Sequence, residues 1–214
     1  MLYIFDWDGT LVNSVDRIVL CLGKAAQELA LPLLENHQYQ EIIGLGLHEA
    51  IHSLYPDADA DMHTAMRDAY SKHFVNEDVA PCPFFPGVVE TLQTLHEEGH
   101  KLAVATGKSR RGLNRVLEQL NWDSYFHSTR CADETLSKPH PLMIEQILEE
   151  LNMPRHQAVM IGDTEFDLEM ARNAGVASIG VSYGAHSAER LEKSSPLAIV
   201  NHFGDLIEVM KEAG

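Results

Sequence analysis

Positive charge is scarce in this chain of 214 residues. Lys and Arg number 16 against 32 Asp and Glu, a formal net charge of −16 with histidine neutral. At long range such a chain is repelled by phosphate backbones and by anionic lipid. General nucleic-acid binding and peripheral membrane binding are therefore disfavoured, although a local group of Lys and Arg can still hold one small anion. Cysteine is scarce too. Cys21, Cys82 and Cys131 are odd in number, far apart and outside any CxxC pair. That is the pattern of reduced thiols in a cytoplasmic protein. Long apolar runs are missing, and no stretch approaches the ~20 residues of a membrane span. The first residues, MLYIFDWDGTLVNS, have neither the basic start nor the apolar run of a signal peptide. Repeats and low-complexity tracts are absent as well. What remains is an ordinary globular balance, 45% hydrophobic and 22% charged, which excludes disorder.

Short β-rich apolar runs are well separated: Leu2–Asp6, Leu102–Thr106, Val159–Asp163, Ala177–Val181 and Ala198–Asn201, with Tyr125–Thr129 a weaker one. Between them Pro86–Gly99, Ser109–Leu120, Pro141–Leu151 and Phe166–Gly175 have helical spacing, and several end at Gly as a C-cap would. Strand and helix in alternation predict an α/β fold, a Rossmann-like parallel sheet with helices on both faces. One stretch breaks the alternation. From Ser14 to Phe85 the pattern is helical, with Ile18, Leu22, Ala25, Ala26 and Leu29 on one face. PCPFFPG (Pro81–Gly87) carries three prolines, so no helix crosses it. The chain thus divides into a discontinuous core, residues 1–13 and 86–214, and an inserted all-helical unit, residues 14–85.

The first strand runs into FDWDGTLVNS. Asp6 and Asp8 stand one residue apart at its C-terminal end, the edge where ligands bind in open α/β sheets. Carboxylates this close repel each other unless a cation or a shared proton relieves them, and hard oxygen ligands favour Mg²⁺. Gly9 permits a sharp departure from the strand. Trp7, between the two aspartates, is expected to point the other way into the core.

FDWDGTLVNS resembles the first motif of the haloacid dehalogenase-like hydrolases. The other motifs of that family follow in family order. KLAVATG ends in Thr106, SKPHP supplies Lys138, and VMIGDTEFD supplies Asp163 and Asp167. The resemblance covers Met1–Ser14 and Pro86 to about Val200. It implies that Asp6 is the nucleophile and Asp8 the general acid and base. It implies that Thr106, Gly107 and Lys138 hold the phosphate, and that Asp6, Asp8 (through its carbonyl) and Asp163 hold Mg²⁺. Asp167 would orient Lys138 or a metal-bound water from behind. The helical insertion looks like the family's C1 cap, which implies a small-molecule substrate, and the layout is similar to the phosphoglycolate phosphatase-like group. That group usually reads DGTLVDS; here Asn13 takes the place of the second Asp, where it is expected to cap the first cap helix. In the cap, the turn Gly44-Leu45-Gly46 is expected to face the site and select the substrate.

The resemblance therefore implies a Mg²⁺-dependent phosphatase acting on a small phosphomonoester, with phosphoglycolate as the named candidate, as a cytoplasmic monomer or homodimer. A β-phosphoglucomutase-like phosphotransferase and an inorganic pyrophosphatase are the alternatives within the family. Dehalogenation is disfavoured because Asp8, an acid for an alkoxide, is useless to a halide. A non-catalytic binding protein would be expected to have lost a motif residue, and none is lost. Two other patterns compete. ATGKS lacks the earlier glycine of a phosphate loop, Leu102 standing in its place; Lys108, Arg110 and Arg111 are then a basic first turn. HEAIH (His48–His52) matches a zinc-peptidase pattern, but Ala58 stands where the extended form needs a third histidine.

Overall fold

The computed structural model describes residues 1–75 and 81–213. Six parallel strands form one sheet in the order β3-β2-β1-β4-β5-β6. They are β1 Leu2–Phe5, β2 Lys101–Thr106, β3 Ser128–Cys131, β4 Ala158–Gly162, β5 Ala177–Val181 and β6 Ala198–Val200. The chain order reverses direction between β1 and β4, so the crevice beyond their carboxyl ends is the natural ligand position. The register is direct there. Phe5 lies against Val104 of β2 on one side and Ile161 of β4 on the other.

Strand alternation sorts the core into two layers. Tyr3, Phe5, Val104, Ile161 and Ile179 face one way, against α5 (Val88–Glu97), α6 (Arg110–Leu120) and the C-terminal α10 (Leu206–Ala213). Leu2, Ile4, Ala103 and Met160 face the other, against α7 (Leu142–Leu151) and α8 (Glu165–Ala174). Short α9 (Ala188–Glu192) closes over β5 and β6. Trp7 continues the first series. It is 2% exposed and lies edge-on to Phe84 and Phe126, turned into the core as its place in the alternation requires.

The inserted segment contains only helices among the described residues: α1 Val15–Glu28, α2 Asn36–Gln40, α3 Leu47–Leu54 and α4 Ala60–Phe74. It has its own apolar cluster, in which Ile18, Leu22, Ala25 and Ala26 meet Ile51 and Met66. Residues 76–80 of the expected insertion lie outside the described residues. The way out and the way back run side by side: the Asn13 amide donates to the Pro83 carbonyl (2.8 Å) and the Phe85 amide to the Leu11 carbonyl (3.0 Å).

Two local expectations are corrected. The third strand starts at Ser128, not Tyr125, because Tyr125 and Phe126 join Trp122 in an aromatic cluster instead of the ladder. Asn13 does not cap α1. It is exposed, and Ser14 holds the cap position, with its hydroxyl donated to Asp8 instead of to the helix.

Candidate active site

Two strand ends build the centre. β1 delivers Asp6, whose amide donates to the Ile161 carbonyl of β4 at 3.0 Å, and β4 is followed directly by Asp163. Gly9 makes this closeness possible. It turns at φ +83°, and a side chain there would run into the Asp163 carboxylate. Asp167 comes from the first turn of α8, where it also accepts from the Thr164 amide and hydroxyl and closes a capping box. Lys138 reaches in from the loop before α7. Its Nζ lies 2.7 Å from Asp6 Oδ1 and 2.7 Å from Asp167 Oδ1. All four side chains are no more than 1% exposed. A solvated helix-start carboxylate is thereby excluded for Asp167.

Charge decides what this cluster can hold. Carboxylate oxygens of Asp6, Asp163 and Asp167 lie within 4.8 Å of one another. Fully ionised, three carboxylates and one ammonium would sum to −3 + 1 = −2 in a cluster that is almost wholly buried. Burial pushes the Asp6 carboxyl well above the usual range and the charges of Asp167 and Asp163 push it further, against the pull of Lys138. Burial, then the charge of Asp167, lifts Asp163 to about 7, although Thr10 donates to its Oδ1 (2.8 Å) and the Ala185 amide to its Oδ2 (2.7 Å). Burial alone would lower the Lys138 pKa; the charges of Asp167 and Asp6 outweigh that and hold it charged. This oxygen set suits a hard divalent cation, which would cancel residual charge and relieve the raised carboxyls.

Asp8 is placed differently. Its carboxylate points out of the cluster, half-buried, where Lys108 Nζ lies 3.0 and 2.9 Å from its two oxygens and the Ser14 hydroxyl donates at 2.7 Å. Among the described residues, the carboxylates close enough together to share one ion are Asp6, Asp163 and Asp167; the Asp8 carboxylate lies outside that group, and only its carbonyl was expected to face a metal. Thr106 ends β2, fully buried, and its hydroxyl accepts from the Lys108 amide at 3.2 Å. Gly107 follows it. A side chain at Gly107 would strike the carbonyl oxygen of Leu45 in the cap turn.

That contact locates the cap. Gly44-Leu45-Gly46 lies on the core loops, and the Gly46 amide donates to Ser137, the neighbour of Lys138, at 2.7 Å. A cleft of about 1480 Å³ opens between the cap helices and α6, with Asp6, Asp8, Thr106 and Gly107 on its floor. Sequence reasoning missed Thr10, Ser14, Ala185 and the pairing of Lys108 with Asp8. Thr10 and Ser14 had a visible signal, as members of the first motif FDWDGTLVNS. His48 and His52 are exposed on α3, and His52 stacks edge-on with His63. Among the described residues no third ligand joins them. We expect His48→Ala with His52→Ala to leave kcat within about tenfold and no zinc to copurify. Metal analysis of the purified protein checks this; one zinc per chain, lost in the double variant, would reverse it.

A doubly wound parallel sheet, a carboxylate and lysine centre on its strand ends and a helical cap over it define a capped α/β enzyme of the Rossmann-like type. A family model described as haloacid dehalogenase-like hydrolase matches residues 3–181, and the chain belongs to that family. It is 36% identical over 211 residues to "Probable phosphatase IndB" of Dickeya dadantii, covering 96% of this chain and 91% of that protein. It is 28% identical to the phosphoglycolate phosphatase of Vibrio parahaemolyticus, covering 98% of this chain and 95% of the relative. Among solved structures, a hydrolase from Pseudomonas syringae shares the fold with a TM-score of 0.89 at 23% identity, over 99% of this chain and 98% of that one.

Proposed function

We propose that the protein is a Mg²⁺-dependent phosphatase that hydrolyses a small phosphomonoester through an aspartyl-phosphate on Asp6. Support comes first from the cluster itself. Asp6 is a buried carboxylate held 2.7 Å from a charged lysine, in a site whose net charge of −2 calls for a divalent cation. The named relatives, a probable phosphatase and a phosphoglycolate phosphatase, point the same way, and phosphoglycolate is the first substrate to try. Asp6, Asp163 and Asp167 are the side chains that would hold the ion, with the Asp8 carbonyl as a further donor. When bound, Mg²⁺ supplies charge screening between the Asp6 carboxylate and the phosphoryl oxygens.

The remaining roles fall to groups already in place. Lys138 binds a phosphoryl oxygen and favours the ionised form of Asp6, and Thr106 with the Gly107 amide adds neutral donors. Asp8 protonates the leaving alkoxide and then takes a proton from the water that hydrolyses the aspartyl-phosphate. Ser14 and Lys108 fix the direction of its carboxylate. The residues of the helical insertion serve as a cap that closes the cleft, with Gly44-Leu45-Gly46 selecting the substrate. We infer from the sparse, unpaired cysteines that the reaction runs in the cytoplasm. A panel of phosphometabolites assayed with Mg²⁺, read as kcat/KM, tests the proposal; no turnover of any phosphomonoester would overturn it.

The raised carboxyls make metal and pH interdependent. In metal-free protein Asp163 ionises near pH 7 when folded and at the ordinary aspartate value near 4 when unfolded. Between these values the folded state binds more protons, so its stability falls as pH rises through that window. Mg²⁺ takes the place of the protons and gains most above it. The melting temperature gained on adding Mg²⁺ should therefore be larger at pH 8 than at pH 5, by at least the ~2–4 °C that about 1 kcal/mol produces in a chain this long. Equal gains at both pH values would show that the carboxyls are not the metal's ligands.

A further inference from the structure

Six cations line the cleft of this acidic chain. Four are already paired: Lys108 with Asp8, Arg110 with Glu134, Arg67 with Asp68 and Lys72 with Glu28. Arg111 and Arg115 are not. Among the described residues neither has a carboxylate within ion-pair distance, although acids outnumber bases two to one in the chain and Glu118 lies on the same helix. The two are four residues apart on α6, so they share one face, about 6 Å apart along the axis. The charges that bear on Arg115 are those of other cations. Its guanidinium is held below the ordinary arginine range by burial and by the charges of Arg17 and Arg111. Arg17 itself is committed elsewhere, donating to the Phe74 carbonyl at 2.6 Å.

We propose that Arg111 and Arg115 form a subsite for a second anionic group of the substrate, a carboxylate or a phosphate at the far end from the reacting phosphomonoester. This rests on the phosphatase reading above. The cleft is continuous from Asp6 and Asp8 to both arginines. Helix α6 starts just beyond Thr106 and Gly107, and Arg115 stands six residues past its cap Ser109, about 9 Å along the axis. The two anions are then on the order of 10 Å apart. Glycolate, with two carbons, carries its carboxylate next to the reacting phosphate and leaves the subsite empty. A cleft of about 1480 Å³ is also far roomier than such a substrate needs. The selected substrate is a longer, doubly anionic phosphomonoester, bidentate guanidinium binding giving the distal group its direction.

The test uses three synthetic series of increasing chain length: phosphorylated ω-hydroxy acids, alkanediol bisphosphates and neutral alkyl phosphates. Each is assayed with the full chain and Mg²⁺. For the wild type, kcat/KM should exceed that of the equal-length neutral ester by at least tenfold, and only once the chain can span the distance. The first two series tell carboxylate from phosphate as the preferred distal group. In Arg111→Gln with Arg115→Gln the ratio of doubly anionic to neutral ester should fall at least tenfold, mostly through KM, and the corresponding Lys variants should keep more of it. Turnover of the neutral esters with no gain from a second anion in either series would overturn the subsite alone. No turnover of any ester would overturn the phosphatase reading and the subsite with it.

Discussion

Asp6→Asn is expected to abolish turnover and any aspartyl-phosphate. An amide cannot form the acyl phosphate. The substitution also changes the charge of the cluster from −2 to −1 and so weakens the call for a divalent cation, while Lys138 keeps Asp167 at 2.7 Å and stays anchored. The variant should therefore fold and bind phosphate but not react. Steady-state rates at saturating Mg²⁺, an acid-quench assay for the acyl phosphate and a melting curve measure the three parts. Retention of more than about one hundredth of the wild-type rate in a folded variant would sink the nucleophile assignment.

Asp8→Asn should separate general-acid catalysis from the electrostatic work of the site. An alkyl phosphate leaves as a basic alkoxide and needs a proton in the transition state. p-Nitrophenyl phosphate leaves as a stable phenolate and hardly needs one. Loss of the acid should slow acyl-phosphate formation by roughly 10²–10⁴-fold with alkyl esters and much less with the aryl ester. The base for water is lost as well, so aspartyl-phosphate should accumulate on Asp6. Single-turnover bursts with both ester types are the measurement. An equal loss on both would assign Asp8 to the metal or to the fold. The geometry favours the first outcome, since the carboxylate points away from the three-aspartate cluster and toward the cleft, held by Lys108 and Ser14.

Most of the sheet was legible because its strands are short, continuous apolar runs, buried on both faces and separated by helical segments, which local sequence carries. β3 was not placed correctly, because Tyr125 and Phe126 have strand-like composition but pack on Trp122, a partner that only the tertiary fold supplies. The positions of Asp6, Lys138, Asp163 and Asp167 followed from motifs in order on strand ends and loops. Their mutual arrangement was legible only in part: the resemblance left Asp167 to orient either Lys138 or a metal-bound water, and the structure has Lys138 bridging Asp6 and Asp167 where three loops meet. The pairing of Asp8 with Lys108, a hundred residues away along the chain, was equally invisible. Ser14 shows the same limit on a smaller scale. The sequence offered Asn13 as the cap, and the structure puts Ser14 there and uses its hydroxyl for a carboxylate.

The side-by-side passage of residues 11–13 and 83–85 bears on how this architecture can change over evolutionary time. Seen from the sheet, the excursion into the helices begins and ends at one point, pinned by the amides of Asn13 and Phe85. β1 and β2 therefore keep their register whatever is hung there. Doubling the length of such an excursion costs only about 0.6 kcal/mol of closure entropy. The doorway isolates the chemistry of the strand ends from the size and shape of the module above it. New specificities can then be sampled by exchanging that module without rebuilding the sheet.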